Sequence, residues 1–596
     1  MGVFSTDCSK AAAIDDGKPS CRASCPYASP RNVKASMTDG IIIVGEGGCL
    51  VKSCGGLRLE FSSWRNRACK SSQMFSHKLE AVGSCSYYGI CAFLIVFVGI
   101  GPAFGLQSEQ EFRFEITLDP ALPTQPPGRL LVVAVPGDSV QRIEPRRFVG
   151  EPGSGAVPTF GADAAELVPG GSVIVDVTSE SHPLGSLTDL EAGKYWVQAV
   201  LITNTELRST DAPGNIYSEP ALVSIDPLER ASVHLTLNHR IPSEELPVEG
   251  GYLRFIKIRS ELLSRFHGRP IYLRAGVILP LGYDRQPGRR YPLRVRIGGF
   301  GERYTAVQGM MRPGSSFRAA WLEPSSPRMI LLHLDGAGPY GDPYQVNSAN
   351  NGPYGDAVTE ELIPYVERVF RGIGRSSARV LDGSSTGGWV SLALQIFYPD
   401  TFNGAWASCP DSVDFRAFQL LDIYHDDNSY LDEERRERPS ARSPDGAVRF
   451  TMRQELQMEN VLGSEGSWTT SGRQWGAWNA SYGPRGADGG PIPLWDPKTG
   501  RIDRSVTGHW EQYDLRLTLE RKWDELAPKL LGKLNIWVGD NDDYYLDHAV
   551  RRLEIFLKQK PSIGSRIVYG PGRGHCWTGI SDVSMMQEMN RQMLGR

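Results

Sequence analysis

Ala378-Arg379-Val380-Leu381-Asp382-Gly383-Ser384-Ser385-Thr386-Gly387-Gly388 is the stretch that decides how the rest of the chain is read. A short apolar run leads into Gly-x-Ser-x-Gly, centred on Ser385. Trp389, Leu392, Ala393 and Ile396 then follow at i, i+3, i+4 and i+7, the spacing of a helix with one apolar face. A strand that reverses this sharply into a helix crowds its neighbours, and glycines two before and two after the serine relieve the crowding and expose Oγ. The five-residue pattern is common by chance, and the bland alternative is a Gly/Ser turn with no chemistry. Its place between a strand and an amphipathic helix gives it weight.

An exposed serine is a poor nucleophile until a base takes its proton, and the base needs an orienting carboxylate. In strand–turn–helix architectures the chain order is serine, acid, histidine, each at the end of a strand. Leu534–Val538 is an apolar strand ending in Gly539-Asp540-Asn541-Asp542-Asp543-Tyr544-Tyr545-Leu546. A helix follows, with Val550, Leu553, Phe556 and Leu557 on one face, and then a strand at Ser565–Tyr569 running into Gly570-Pro571-Gly572-Arg573-Gly574-His575. His575 is the histidine placed to act as base. Asp540, Asp542 and Asp543 compete for the role of acid. A calcium loop is rejected, because Tyr545 and Arg551 stand where that loop needs Gly and Glu.

A tetrahedral intermediate also requires backbone N–H donors around its oxyanion. Thr386, directly after the serine, is one candidate. Phe300 is the other, in the Gly298-Gly299-Phe300-Gly301 loop after the strand Tyr291–Ile297, with the Asp335–Gly338 loop as runner-up. Gly336-Ala337-Gly338-Pro339-Tyr340-Gly341 matches GxGxxG, but Gly341-Asp342-Pro343-Tyr344 is a turn sequence where a dinucleotide site needs a helix. No metal and no organic cofactor is called for.

From about residue 250 strands alternate with helices, including leading strands at Tyr252–Ile258 and Ile271–Leu281 and a helix at Thr359–Arg371, which predicts an α/β sheet with helices on both faces. The segment 250–596 resembles the esterase D-like branch of the α/β-hydrolases. The resemblance rests on Tyr291-Pro292 leading to Gly298–Gly301, on Glu361-Leu362-Ile363-Pro364-Tyr365-Val366-Glu367, on the Gly383–Gly388 turn and on Pro571–His575. It implies a serine carboxylesterase with Ser385, Asp542 and His575 as its triad, because members carry Gly-x-x-Asp and an aromatic near the acid. The oxyanion loop departs from the family's usual His-Gly, having Gly298-Gly299. A long insertion at about 412–530, with Trp468, Trp475, Trp478, Trp495 and Trp510, is expected to form a lid or substrate wall, or else to pack on the domain. Cys409 and Cys576, which directly follows His575, either form a disulfide or stay free and buried.

Ahead of this domain, residues 106–245 alternate short β-rich runs (among them Phe112–Leu118, Leu130–Val135, Tyr195–Ile202 and Ser232–Leu237) with Pro/Gly turns, which predicts an all-β sandwich-like domain without a catalytic constellation. Between Ala81 and Ser108 there is no charged residue, and Tyr87–Gly101 is nearly all apolar. Fifteen residues are short for a membrane span and suit a secretory signal at 74–105, with a single-pass anchor as the alternative. Residues 1–73 then read as a disordered or over-extended N-terminal stretch ahead of Met74, and the remainder as secreted or periplasmic. Eight of the ten cysteines lie in the first 91 residues, in no paired CxxC spacing that would favour zinc.

The 596 residues, 40% hydrophobic and 22% charged with net charge −4, have ample material for several domains and no polybasic footprint for nucleic acid. The expected partner is an ester, small or polysaccharide-linked. An acyltransferase or peptidase using the same three residues, and a non-catalytic polysaccharide-binding protein, are the competing readings.

Overall fold

The computed structural model describes residues 112–138 and 144–594; the signal-like segment and the cysteine-rich stretch before it lie outside the described residues. Strands β1 (Arg113–Leu118), β2 (Gly128–Pro136), β3 (Thr159–Ala164), β4 (Ser172–Val175), β5 (Glu180–His182), β6 (Gly193–Ile202), β7 (Ile216–Ser218), β8 (Ala221–Ile225) and β9 (Ser232–Arg240) form one sheet. Its order is β4-β1-β9-β7-β6-β2-β3-β5, with β8 also on β6. Every pairing is antiparallel except β1 with β9. In β1 the alternation is direct: Phe114, Ile116 and Leu118 are buried and the residues between them are half-buried. The inward residues of β1, β2, β6 and β9 share one core. The sandwich-like expectation therefore takes the form of a single sheet curled over itself rather than two separate ones.

The second sheet comprises β10 (Leu253–Ser260), β11 (Ile271–Ile278), β12 (Leu293–Ile297), β13 (Ile330–Leu334), β14 (Arg379–Ser384), β15 (Ala405–Ser408), β16 (Leu534–Gly539) and β17 (Arg566–Gly570). They run in the order β10-β11-β13-β12-β14-β15-β16-β17. β10, β11 and β13 pair antiparallel, and from β13 onward all pairs are parallel. Consecutive residues of these strands enter opposite cores. Leu332 and Leu381 join one that includes Trp389 and Val390, while Leu331 and Val380 join another with Met585, Met586 and Met589. Burial on both faces is why the strands read as continuous apolar runs.

The segment that carried part of the resemblance is helical, but not uniformly. Ala357–Leu362 winds as a π-helix into α1 (Ile363–Val369). Pro364 lacks an N–H and crowds the carbonyl four residues back, and the wider turn relieves both problems. Glu361 accepts the backbone N–H groups of Glu261 and Leu262 at 3.0 Å each. Glu367 holds Arg379, at the foot of β14, through two 2.8 Å bonds. The two glutamates thus tie this helix to the start of the helix that follows β10 (Glu261–His267) and to the strand that delivers Ser385.

Between β15 and β16 the insertion contributes α3 (Met452–Leu462) and α4 (Gln474–Tyr482) after α2 (Thr386–Phe397). Its five tryptophans, expected to line a lid or substrate wall or else to pack on the domain, are all buried; Trp468 stacks on Trp495 at 4.7 Å, and Trp475 meets Trp478 edge-on at 4.6 Å. Glu459 of α3 accepts the N–H groups of Trp475 and Gly476 at 2.9 Å each, donors that the first turn of α4 leaves without helical partners. An adjoining side of α3 presents Met458, Val461 and Leu462 to Leu131, Val133, Val200 and Ile202 of β2 and β6, forming a core shared by the insertion and the curled sheet. Among the described residues no helix is long and apolar enough to cross a membrane.

Candidate active site

Ser385 sits between β14 and α2 with φ 58° and ψ −124°, a conformation that costs a non-glycine residue energy and persists only where the surroundings enforce it. The enforcement is visible. Its N–H donates to Ser408 O on β15 at 3.0 Å, and the next turn lies directly on the β12 loop. A Cβ on Gly387 would fall 2.2 Å from Ile297 O and 2.4 Å from Gly298 O, so only glycine fits there.

From 190 residues away in sequence, His575 places Nε2 3.0 Å from Ser385 Oγ. Its Nδ1 lies 2.8 Å from Asp542 Oδ2. Asp542 is fully buried, and its Oδ1 accepts the N–H groups of Tyr544 and Leu546 at 2.9 and 3.3 Å. The three competing carboxylates divide the work of holding the histidine loop. Asp540 accepts from Gly572 N at 2.6 Å, Asp543 from His575 N at 3.2 Å, and Asp542 alone meets the ring. Burial opposes a charge on His575, and the adjoining Asp542 carboxylate favours one.

Thr386 is the first residue of α2 and is buried. Phe300 lies two residues past Gly298, whose carbonyl rests against Gly387. In the runner-up loop Asp335 binds Arg303 Nε at 2.7 Å, and Gly336 N donates to Glu302 O at 2.9 Å. Gly338 and Gly341 form an isolated bridge, and no helix begins there.

Sequence reasoning missed Asp411. Its Oδ1 is 3.4 Å from Ser385 Oγ. Its Oδ2 accepts from Tyr344 Oη at 2.7 Å, Thr386 Oγ1 at 3.0 Å, Trp478 Nε1 at 3.2 Å and Gln474 Nε2 at 3.3 Å. Burial raises its pKa against these donors. The available signal was a carboxylate just past the C-terminal end of β15, the strand beside the nucleophile strand. Also missed was the ion cluster under the turn: Arg294 Nε and Nη2 meet both oxygens of Asp382 at 2.8 and 2.7 Å, and Arg296 Nη1 adds a third bond at 2.8 Å. It ties β12, which carries the Phe300 loop, to β14, which carries Ser385. Cys409 and Cys576 are not joined in a disulfide, and Cys409 Sγ accepts the N–H of Cys576 at 3.0 Å.

Residues 272–514 match the family model described as "Putative esterase", a match that ends before Asp542 and His575. No curated protein matches the chain. Among solved structures the chain is similar to an S-formylglutathione hydrolase from Agrobacterium tumefaciens (13% identity, covering 58% of this chain and 97% of that one, TM-score 0.30). It is similar to the fluorophosphonate-binding serine hydrolase F of Staphylococcus aureus (13% identity, 58% and 99% covered, TM-score 0.33). A ferulic acid esterase from Anaeromyces mucronatus is a third (14% identity, 59% and 95% covered, TM-score 0.29).

Proposed function

We propose that this chain, of which residues 272–514 match the putative-esterase family model, is a carboxylic ester hydrolase of the α/β-hydrolase superfamily that works as an exported serine esterase through an acyl-enzyme. The observation that carries the reading is the unbroken relay from Ser385 Oγ to His575 Nε2 at 3.0 Å and from Nδ1 to Asp542 at 2.8 Å, mounted on a strained turn. Ser385 Oγ attacks the ester carbonyl while His575 takes its proton. Asp542, held by two backbone N–H groups, fixes the ring's orientation and stabilises the imidazolium. The N–H groups of Thr386 and Phe300 receive the oxyanion. His575 then protonates the departing alcohol, and water, deprotonated by the same ring, releases the acid and restores the serine. This chemistry calls for no metal or organic cofactor. The substrate class is a carboxylic ester, small or polysaccharide-linked. Export rests on the uncharged 81–108 stretch and its 15-residue apolar centre.

The test is to treat purified 106–596 with a fluorophosphonate probe and map the adduct by peptide mass spectrometry. An adduct on Ser385 that disappears in His575→Ala is expected. A folded protein that takes no label, or takes it elsewhere, would refute the reading and favour a non-catalytic, polysaccharide-binding role.

A further inference from the structure

We propose that Cys409, Cys576 and His575 form a binding site for a thiophilic divalent cation of the zinc class, whose occupation switches the enzyme off. The binding stands on geometry alone; the switching rests on the reading of His575 as the base.

One ligand atom from each of the three residues lies within 4.8 Å of the other two. Around a tetrahedral ion, with metal–sulfur near 2.3 Å and metal–nitrogen near 2.0–2.1 Å, such atoms stand about 3.4–3.8 Å apart, so small side-chain rotations close the set. The two cysteines are already held together by the Cys576 N–H on Cys409 Sγ. Both take left-handed backbone conformations, φ 38° at Cys409 and 62° at Cys576, which their surroundings enforce. Cys409 is buried, whereas Cys576 and His575 are half-buried and give the ion a way in. Two thiolates and an imidazole, with a fourth position left to water, suit zinc and its softer relatives rather than magnesium or calcium.

Binding releases two protons as the thiols ionise, with no change of oxidation state: M²⁺ and two thiols give the dithiolate and two H⁺. The imidazole cannot join without loss, because both its nitrogens are engaged, Nδ1 by Asp542 and Nε2 by Ser385. Whichever nitrogen coordinates, one link of the relay breaks.

The experiment uses reduced, full-length protein titrated with Cd²⁺ as a spectroscopic probe and with Zn²⁺ as effector. A thiolate-to-cadmium charge-transfer band saturating at one equivalent is expected, with Zn²⁺ suppressing fluorophosphonate labelling over the same range. Cys409→Ser/Cys576→Ser should bind Cd²⁺ at least about ten-fold more weakly, since even partners outside the first coordination shell cost that much, and should label undiminished in Zn²⁺. Cys576→Ala provides the same comparison if the double variant folds poorly. No one-equivalent band, a band untouched by the substitutions, or two sulfurs found joined as a disulfide before reduction would each overturn the site. A protein that shows the band yet never labels supports the site and contradicts the catalytic reading, so the two failures are distinguishable.

Discussion

Asp382→Asn is expected to be among the most damaging isosteric changes in the hydrolase sheet, although Asp382 touches no substrate. Its carboxylate receives three charge-assisted bonds, from Arg294 Nε at 2.8 Å, Arg294 Nη2 at 2.7 Å and Arg296 Nη1 at 2.8 Å. Arg294 has no exposed surface. Burial pushes the Asp382 pKa up, but the two guanidiniums more than compensate and hold it below the ordinary carboxylate range. An asparagine keeps one acceptor oxygen and leaves the Arg294 charge buried without a counter-charge, a loss of about 3–5 kcal/mol. Urea unfolding followed by tryptophan fluorescence reads the effect, with Trp406 on the neighbouring strand as one reporter. Arg294→Met with Asp382→Leu removes the fully buried charge, and Arg296, whose side chain is 27% exposed, can turn to water, so most of the stability should return. A loss below about 1 kcal/mol in Asp382→Asn, on the scale of a surface pair, or a double variant as damaged as the single one, would refute the argument that the charge is what matters.

Burial lowers the His182 pKa to about 4 against the pull of the Glu151 carbonyl, so its contribution is complete above about pH 6.5 and is lost as pH falls from there toward 4. At about 1.4 kcal/mol per unit that loss amounts to roughly 3 kcal/mol; urea midpoints measured across this window should fall in the parent and fall less in His182→Gln. Gly387→Ala drives a methyl into the Ile297 and Gly298 carbonyls and displaces the Phe300 loop. Fluorophosphonate labelling should slow by about 100-fold, the loss of one oxyanion donor, and labelling at the parent rate would show that the loop does not depend on this contact. Asp411→Asn keeps an acceptor for Tyr344, Thr386 and Trp478 and turns an N–H toward Ser385, leaving His575 as the hydroxyl's acceptor. Labelling at least as fast as the parent is expected, and slower labelling at unchanged thermal stability would show that the charge itself is needed.

What the sequence disclosed and what it withheld divide along physical lines. Local patterns were legible: the apolar runs of β12, β13, β14 and β16, the glycine spacing at Ser385, and the Gly-rich approach to His575. The strands β5 and β7 escaped because each has three residues, and β3 because Gly161 and Asp163 interrupt its apolar pattern. Long-range pairings were legible only where chemistry called for them, as for Ser385 with His575 and Cys409 with Cys576. Nothing near Asp382 announces Arg294, 88 residues away. The insertion's tryptophans left two readings open, a substrate wall or packing on the domain, and all five are buried. Buried carboxylates such as Glu459 and Glu455 thread between them, and no periodicity reports that.

The core shared by α3 and the outer face of β2 and β6 changes what counts as a portable piece of this gene. A chain cut near residue 245 would turn Leu131, Val133, Val200 and Ile202 out to water as a sticky stripe, and the hydrolase half would be left with Met458, Val461 and Leu462 uncovered. Neither half can be shuffled into another protein, or swapped between relatives, without its counterpart. Recombination that preserves function has to carry the curled sheet and the insertion together, although more than two hundred residues separate them in the reading frame.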